Sequence, residues 1–317
     1  MKKKLAVILL AMGGPNSTAD IPEFLYNIFS DRAIIRLPGG AVLQKPFARL
    51  ISRLRSKNVA EHYSHIGGGS PLLKWTQAQA RLIGDHLQRD FDEVTCYIGM
   101  RYFRPSIETA IKSAVEDGYE QICFLPLYPQ FATATTGSSF AVARDVLKTY
   151  SQMKATYIND FHDNVEYTRL LGAYIDRNIQ PGETLMFSAH SLPQKFVDEG
   201  DPYVEQVKKT AAMSAGKREY HLAFQSRTGP VKWVGPDTVV EVKRLLEDPE
   251  RKLFIVPISF VCDHIETLYE LDIQLKELVG EEKGSRIRRM PMFNDDPSFG
   301  RILAELIRAK VGENVSK

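Results

Sequence analysis

Cysteine is scarce in this chain. Only Cys96, Cys123 and Cys262 occur among 317 residues. An odd number at long spacings argues against a disulfide framework or a zinc ribbon and points to a reducing compartment. Cys96 and Cys123 lie inside apolar runs and read as small core residues. An excess of charge is missing too: 41 basic residues face 39 acidic ones, a net charge of +2. No basic stripe of the kind that holds nucleic acid is present, so no nucleic-acid partner is expected. No run approaches the roughly 20 apolar residues of a spanning helix. The opening "MKKKLAVILLAMGG" has the basic and apolar parts of a leader. Its apolar part is short, however, no small-residue cleavage site follows, and "GGP" reads as a turn after a first strand. The phosphate-binding patterns G-x-G-x-x-G and G-K-[ST] do not occur, nor does the H-E-x-x-H of zinc proteases.

With 44% apolar residues the chain can bury a sizeable core. Its length suits two domains of ordinary size. Short apolar, β-branched runs such as "KLAVILL", "QICFLPLY", "TLMFSA" and "KLFIVPI" alternate with stretches of helical period. Continuous apolar strands between helices imply α/β architecture with parallel sheets covered on both faces. Four such runs in each half predict two similar α/β domains. In each half a proline that opens a helix is followed 21 residues later by one in the next strand: Pro105 and Pro126, then Pro236 and Pro257. The expected domains are 1–162 and 163–317, with the last helix, "DPSFGRILAELIRAKVG", free to pack back on the first.

Open parallel sheets bind ligands beyond the carboxyl ends of their strands. In the second half, that rule brings His190 of "FSAHSLP" and Glu266 of "FVCDHIETLYELDIQ" toward one crevice. If the latter segment is an α-helix, Asp263, Glu266, Glu270 and Gln274 share a stripe. His264 stands beside the first of them. A lone histidine would more often cap a backbone carbonyl, and Asp263 suits a helix N-cap. Neither reading explains Glu270 and Gln274. Stacked carboxylates repel unless they share protons or a cation, and a mixed His/Glu site suits ferrous iron or zinc. "IPEFLYNIFSDRAIIRLPGG" is more apolar than a loop and short helix need, with Phe24, Leu25, Ile28, Phe29, Ile34 and Ile35. Either these residues pack in a core, or they form an apolar rim for a flat, greasy ligand or a membrane. Tyr102 and Trp233 could add an aromatic wall, and Arg32, Arg36 and Arg101 could meet acidic substituents.

The blocks "MGGP", "IGGGSPL", "YPQFATATTGSS", "FSAHSLPQKFVDEGDPY", "WVGPDT" and "FVCDHIETLYELDI" together resemble the signatures of the ferrochelatases, in the family's order and over most of the chain. The resemblance implies a porphyrin cleft between two Rossmann-like domains and insertion of ferrous iron into protoporphyrin. The enzyme would bend the macrocycle and remove two pyrrole protons. His190 and Glu266 match the family's catalytic, metal-facing pair. Met12, Ser70, Arg101, Tyr102 and Trp233 match positions lining its pocket. Residues 22–38, with Ile28, Phe29 and Arg32, resemble the apolar lip that frames it. Asp263, Glu270 and Gln274 would continue a polar path for metal or protons. Whether His190 takes a proton or ligates iron stays open. So do coproporphyrin as the substrate, another tetrapyrrole chelatase of this fold, and a non-catalytic porphyrin or haem carrier.

Two departures from the family pattern stand out. Gln274 replaces an acid that many members carry, and an amide cannot take a proton. Thr133 stands where some members have a cluster cysteine, and no cysteine follows Cys262. No iron–sulfur cluster, and no cofactor beyond the substrate iron, is expected. The chain is expected to be cytoplasmic, with peripheral contact at the inner face of the membrane through the lip.

Overall fold

The apolar runs form two parallel sheets, each with four strands among the described residues. In the computed structural model these are residues 4–32, 34–35, 40–227, 229 and 231–315. The first sheet contains β1 (Lys4–Ala11), β2 (Glu93–Met100), β3 (Gln121–Pro126) and β4 (Lys154–Tyr157), in the order β2-β1-β3-β4. The second contains β5 (Glu183–His190), β6 (Tyr220–Gln225), β7 (Lys252–Pro257) and β8 (Ile287–Arg289), in the order β6-β5-β7-β8. All pairs are parallel. Helices cover the faces, so the central strands are buried almost throughout, as their unbroken apolar runs require. In the first unit Ile8, Leu10 and Phe124 pack with Ile111 and Phe140; in the second Met186 and Ile255 pack with Val242, Leu245 and Leu271.

Each unit repeats the other's local wiring. At the end of β2 the Met100 amide donates to the Pro105 carbonyl (2.7 Å). At the end of β6 the Phe224 amide donates to the Pro236 carbonyl (2.8 Å). Both prolines follow a cis peptide bond. The next residue caps the following helix in each case: Ser106 accepts from the Thr109 amide, Asp237 from the Val240 amide. The Leu127 amide donates to Leu10 and the Ile258 amide to Ser188. These bonds and the strand registers align Met12 with His190, Arg101 with Gln225, and Tyr102 with Ser226. The proline spacing in the sequence marks this correspondence.

The chain groups into the two units with exchanges beyond a single cut near residue 162. The stretches up to Leu127, from Thr133 to Asn159 and from Asn294 onward make one; Tyr128–Ala132 and Asp160–Phe293 make the other. The last helix, Pro297–Val315, packs on β3, β4 and the helix Leu72–Leu87 of the first unit. All three cysteines are free; Cys123 is buried in the core as expected and Cys96 is half-buried, and loss of solvent pushes both thiols up to about 12. Among the described residues no helix is long and apolar enough to cross a membrane.

The acidic segment after β7 departs from expectation. Glu266–Gln274 is a π-helix, not an α-helix. Its i→i+5 turns hold more residues, so positions four or five apart, not three apart, share a face. Glu266, Glu270 and Gln274 keep a common side; Asp263 precedes the segment. Leu271 and the following Leu275 anchor the segment in the core, each 2% exposed. A buried arginine pins both ends of this unit of structure. Arg289, from the end of β8, forms bidentate bonds to Asp272 within the π-helix and lies 3.1 Å from Asp263 before it. Truncating one partner of a buried charge cluster leaves the others uncompensated. Arg289→Ala is therefore expected to lower unfolding free energy by about 3 kcal/mol in urea titrations. A loss under about 1 kcal/mol would show that the pair is a solvated surface contact.

Candidate functional site

In the second unit the strand order reverses between β5 and β7, and the crevice beyond their carboxyl ends is the expected ligand position of such a sheet. β5 ends on His190, and β7 leads into Ser259, Phe260 and the acidic π-helix. Both segments are therefore delivered to one place by the sheet itself.

His190 is held by its backbone and oriented by its ring. Its amide donates to Ser259 Oγ (3.3 Å), Ser259 and Tyr203 share a hydrogen bond (2.6 Å), and the Tyr203 hydroxyl donates to the His190 carbonyl (2.9 Å). The loop closes on itself and satisfies both main-chain groups at the strand end. The imidazole Nδ1 lies 2.7 Å from the Ser191 carbonyl. A carbonyl only accepts, so Nδ1 carries the hydrogen and Nε2 keeps its lone pair. Burial lowers the His190 pKa below the ordinary imidazole value, against the opposing charge of Glu266 and the Ser191 hydrogen bond. His190 is neutral at pH 7, with a basic nitrogen available.

Glu266 and Glu270 differ in what compensates them. His264 Nδ1 faces the Cys262 carbonyl (2.9 Å), so it too carries a hydrogen there. Its Nε2 lies 3.1 Å from Glu266 Oε2. Two lone pairs would meet unless a proton sits between them, so the pair shares one. The Phe260 ring stands edge-on to both His190 and His264. Glu270 receives the Ser226 hydroxyl and the Gln225 amide (3.0 Å), two neutral donors. Burial, then the charge of Glu266, pushes its pKa up to about 7, while those two hydrogen bonds pull the other way. Gln225 also donates to the Glu266 carbonyl, and its own oxygen accepts from Ser188. Asp263 stands apart from the stripe expected of it: it accepts from the Thr267 hydroxyl and pairs with Arg289.

Trp233, half-buried, joins the His190 loop through a bridge between Pro193 and Trp233. In the first unit Met12, Arg101 and Tyr102 come together at the ends of β1 and β2. The Arg101 amide donates to Ala11 and that of Tyr102 to Met12, each 2.9 Å. The Arg101 guanidinium and the Tyr102 hydroxyl both donate to Asp31. Tyr102, one of the two residues suggested for an aromatic wall, is 3% exposed, and Phe29, suggested for a core or an apolar rim, is 6% exposed. Phe24 and Leu25 are likewise core residues of the helix α1 (Ile21–Ser30), whereas Ile28 is half-buried and Arg32 exposed. Residues 33 and 36–38 of the lip, Arg36 included, lie outside the described residues. Ser70 bonds through its amide to the Pro15 carbonyl (2.7 Å). The neighbouring Gly69 is needed for close approach: a Cβ there would meet Asn16 O at 2.2 Å. That packing accounts for the glycine at position 69.

Sequence reasoning passed over Gln225, Ser226, Tyr203 and Ser259. The signal for Ser226 was available. It follows the carboxyl end of β6, the same position that marked His190 at the end of β5. Ser226 also has a positive φ of 67°, an uncommon conformation for a residue with a side chain.

Comparison with known proteins adds a lineage. A ferrochelatase family model matches residues 4–311. A protein called ferrochelatase from Geotalea daltonii is 40% identical, with 99% of this chain and 100% of that protein covered. Another from Geotalea uraniireducens is 42% identical, covering 98% and 99%. Among solved structures, SirB from Bacillus subtilis with Fe3+ superposes with a TM-score of 0.58 at 13% identity, covering 99% of this chain and 98% of that one. At that identity the likeness speaks for the fold alone.

The raised pKa of Glu270 has a thermodynamic consequence. The folded protein binds more protons than the unfolded chain between the ordinary value of 4.5 and about 7. Its contribution to stability is full below that window and is lost as pH rises through it. Glu270→Gln removes the titration. Between pH 5 and pH 8 the wild type is expected to lose on the order of 2 kcal/mol relative to this variant in urea unfolding. Parallel pH dependence of the two proteins would show that Glu270 does not titrate there.

Proposed function

This chain belongs to the ferrochelatase family, and on that premise we propose that it inserts ferrous iron into protoporphyrin IX. The observation that carries the reading is a neutral, half-buried imidazole at the end of β5 within the electrostatic reach of a carboxylate in the π-helix that follows β7. Insertion of Fe(II) into a free-base porphyrin releases two protons, and no electrons change hands. The site must therefore accept protons in a place from which bulk water is largely excluded.

His190 suits the first acceptance, because its Nδ1–H is committed to the Ser191 carbonyl and its Nε2 is left basic. Glu266 and His264 already share a proton, so this pair can pass one onward without creating a new buried charge. Glu270, with a pKa near pH 7, takes and gives up a proton at little cost. Gln274 follows on the same side of the π-helix and can relay hydrogen bonds or offer its oxygen to a cation. In this reading the π-helix face is a path for protons outward or iron inward. Asp263 is left out of it, because Arg289 occupies it. A macrocycle held bent would expose nitrogen lone pairs to the metal, a conformational form of transition-state complementarity.

Among the porphyrin contacts suggested by the resemblance, Met12, Ile28, Arg32, Ser70, Arg101 and Trp233 remain proposals. Arg101 is already neutralised by Asp31. That leaves less cationic surface for the four carboxylates of coproporphyrin than for the two of protoporphyrin, which favours the latter.

Anaerobic assays with ferrous iron test the reading, following loss of free-porphyrin fluorescence and growth of the haem spectrum. Protoporphyrin IX is expected to turn over faster than coproporphyrin III; the reverse ranking would name coproporphyrin as the substrate. His190→Ala is expected to cut turnover by about a thousandfold while porphyrin affinity changes little. Tight porphyrin binding by the wild type without insertion of iron, zinc or cobalt would instead identify a carrier.

A further inference from the structure

The first sheet ends in an unguarded edge. β2 is an outer strand of eight residues, the longest of the four sheet edges among the described residues. Edge strands are normally kept from pairing with other chains by charge, proline or brevity. β4 ("KATY") and β8 ("IRR") are short and basic, and β6 carries His221 beside Glu241. After Glu93, β2 reads "VTCYIGM", with neither charge nor proline. The Met100 amide turns outward to the Pro105 carbonyl, and the Arg101 amide turns inward to Ala11. Alternation along the strand therefore points the main-chain groups of Val94, Cys96 and Ile98 to the open side. Among the described residues nothing bonds to them there.

A groove of about 520 Å³ lies between this edge and the helix Leu72–Leu87. Val94, Cys96 and Ile98 line one side of it, and Ala80 and Gly84 the other. A Cβ added at Gly84 would lie 3.9 Å from Cys96 Sγ, so these two positions face each other. Arg81 and Asp85 also line the groove, and both are exposed. They stand four apart on one helix, yet among the described residues neither has an ion-pair partner. On the opposite face of the strand Tyr97 and Tyr119 pack edge to face, with their hydroxyls on Asp117 and Thr95.

These features are self-complementary about a two-fold axis. An axis through Cys96, perpendicular to the sheet, sets two β2 strands antiparallel. Cys96 then exchanges its N–H and C=O with Cys96 of a second copy, and Val94 does so with Ile98. The same axis passes beside Gly84. Positions 81 and 85 lie on either side of that glycine, as do 77 and 88. Antiparallel helices related by the axis set Arg81 against Asp85 and Gln77 against Gln88 of the other copy. Each charge left without a partner in one chain finds its opposite in the second.

We propose that β2 and the helix Leu72–Leu87 form a dimer contact, in which the first sheets of two copies join edge to edge. The contact is small beside a permanent interface, so the dimer is expected to dissociate in the micromolar range. Neither the porphyrin nor the iron chemistry enters it.

Sedimentation velocity of the full chain, from low micromolar to several hundred micromolar, reads the dimer directly. The wild type is expected to pass from monomer to dimer across that range. Arg81→Glu and Asp85→Arg are each expected to weaken the dimer by about tenfold or more, because each sets like charges opposite one another twice. Mixed in equal amounts, the two variants are expected to recover wild-type association, since the new acid of one chain faces the new base of the other. A variant that merely misfolds cannot be rescued in this way. In hydrogen exchange the amides of Val94, Cys96 and Ile98 are expected to slow as concentration rises. A wild type that stays monomeric throughout overturns the proposal. So does a dimer that either single variant leaves intact, or a mixture of the two that stays monomeric.

Discussion

Glu270 is half-buried beside a second acid, and an acid withdrawn from water must either keep its proton or be surrounded by donors. Much of the second unit around it follows from that constraint. Gln225 and Ser226 supply the donors, at the end of a strand where backbone and side chain are both fixed. Gln225 is in turn oriented by Ser188, and Ser188 by Thr238, so the amide cannot flip away from the carboxyl. The π-helix brings Glu270 to these donors while Leu271 anchors the turn in the core. Arg289 then fixes Asp263 and Asp272, the acids that do not belong to the stripe, and leaves Glu266 to His264 and Glu270 to its two neutral donors.

The proton inventory sets this site apart from a merely acidic groove. Two histidines each commit Nδ1–H to a backbone carbonyl. That shared device fixes both tautomers and leaves both Nε2 atoms to the site. One faces Glu266 and shares its proton; the other, on His190, remains neutral because burial outweighs the nearby carboxylate. A site that starts with a vacant base, a shared proton and a carboxyl near neutrality can move protons in single steps, with little build-up of buried charge.

The sheets, their parallel sense and the doubling were legible because buried parallel strands leave continuous apolar runs, and because Pro105 and Pro236 hold equivalent places. His190 and Glu266 were legible from the strand ends. The π-helix was not: an i→i+5 turn carries nearly the same apolar pattern as an α turn, and nothing in the pattern shows that Asp263 stands before the helix, held by Arg289. The burial of Phe29 and Tyr102 was hidden because aromatic residues serve cores and ligand walls alike. The helix Gly40–Ser64 shows the converse: Val42, Leu43, Leu50 and Leu54 are exposed, while Gln44, Ala48, Ser52 and Tyr63 are buried.

The internal correspondence explains why one scaffold does two kinds of work. At equivalent strand ends, two consecutive residues bind a carboxylate in each unit: Arg101 and Tyr102 hold Asp31, and Gln225 and Ser226 hold Glu270. The geometry is common; the charge is not. A guanidinium neutralises Asp31 outright, which makes that contact a fixed support. The amide and hydroxyl offer Glu270 hydrogen bonds without a cation, so its carboxyl remains poised between its two protonation states. The preceding strand end repeats the contrast, with Met12 in one unit and His190 in the other. Replacing a thioether and a guanidinium by an imidazole and an amide turns a rigid strand-end support into a site that can exchange protons.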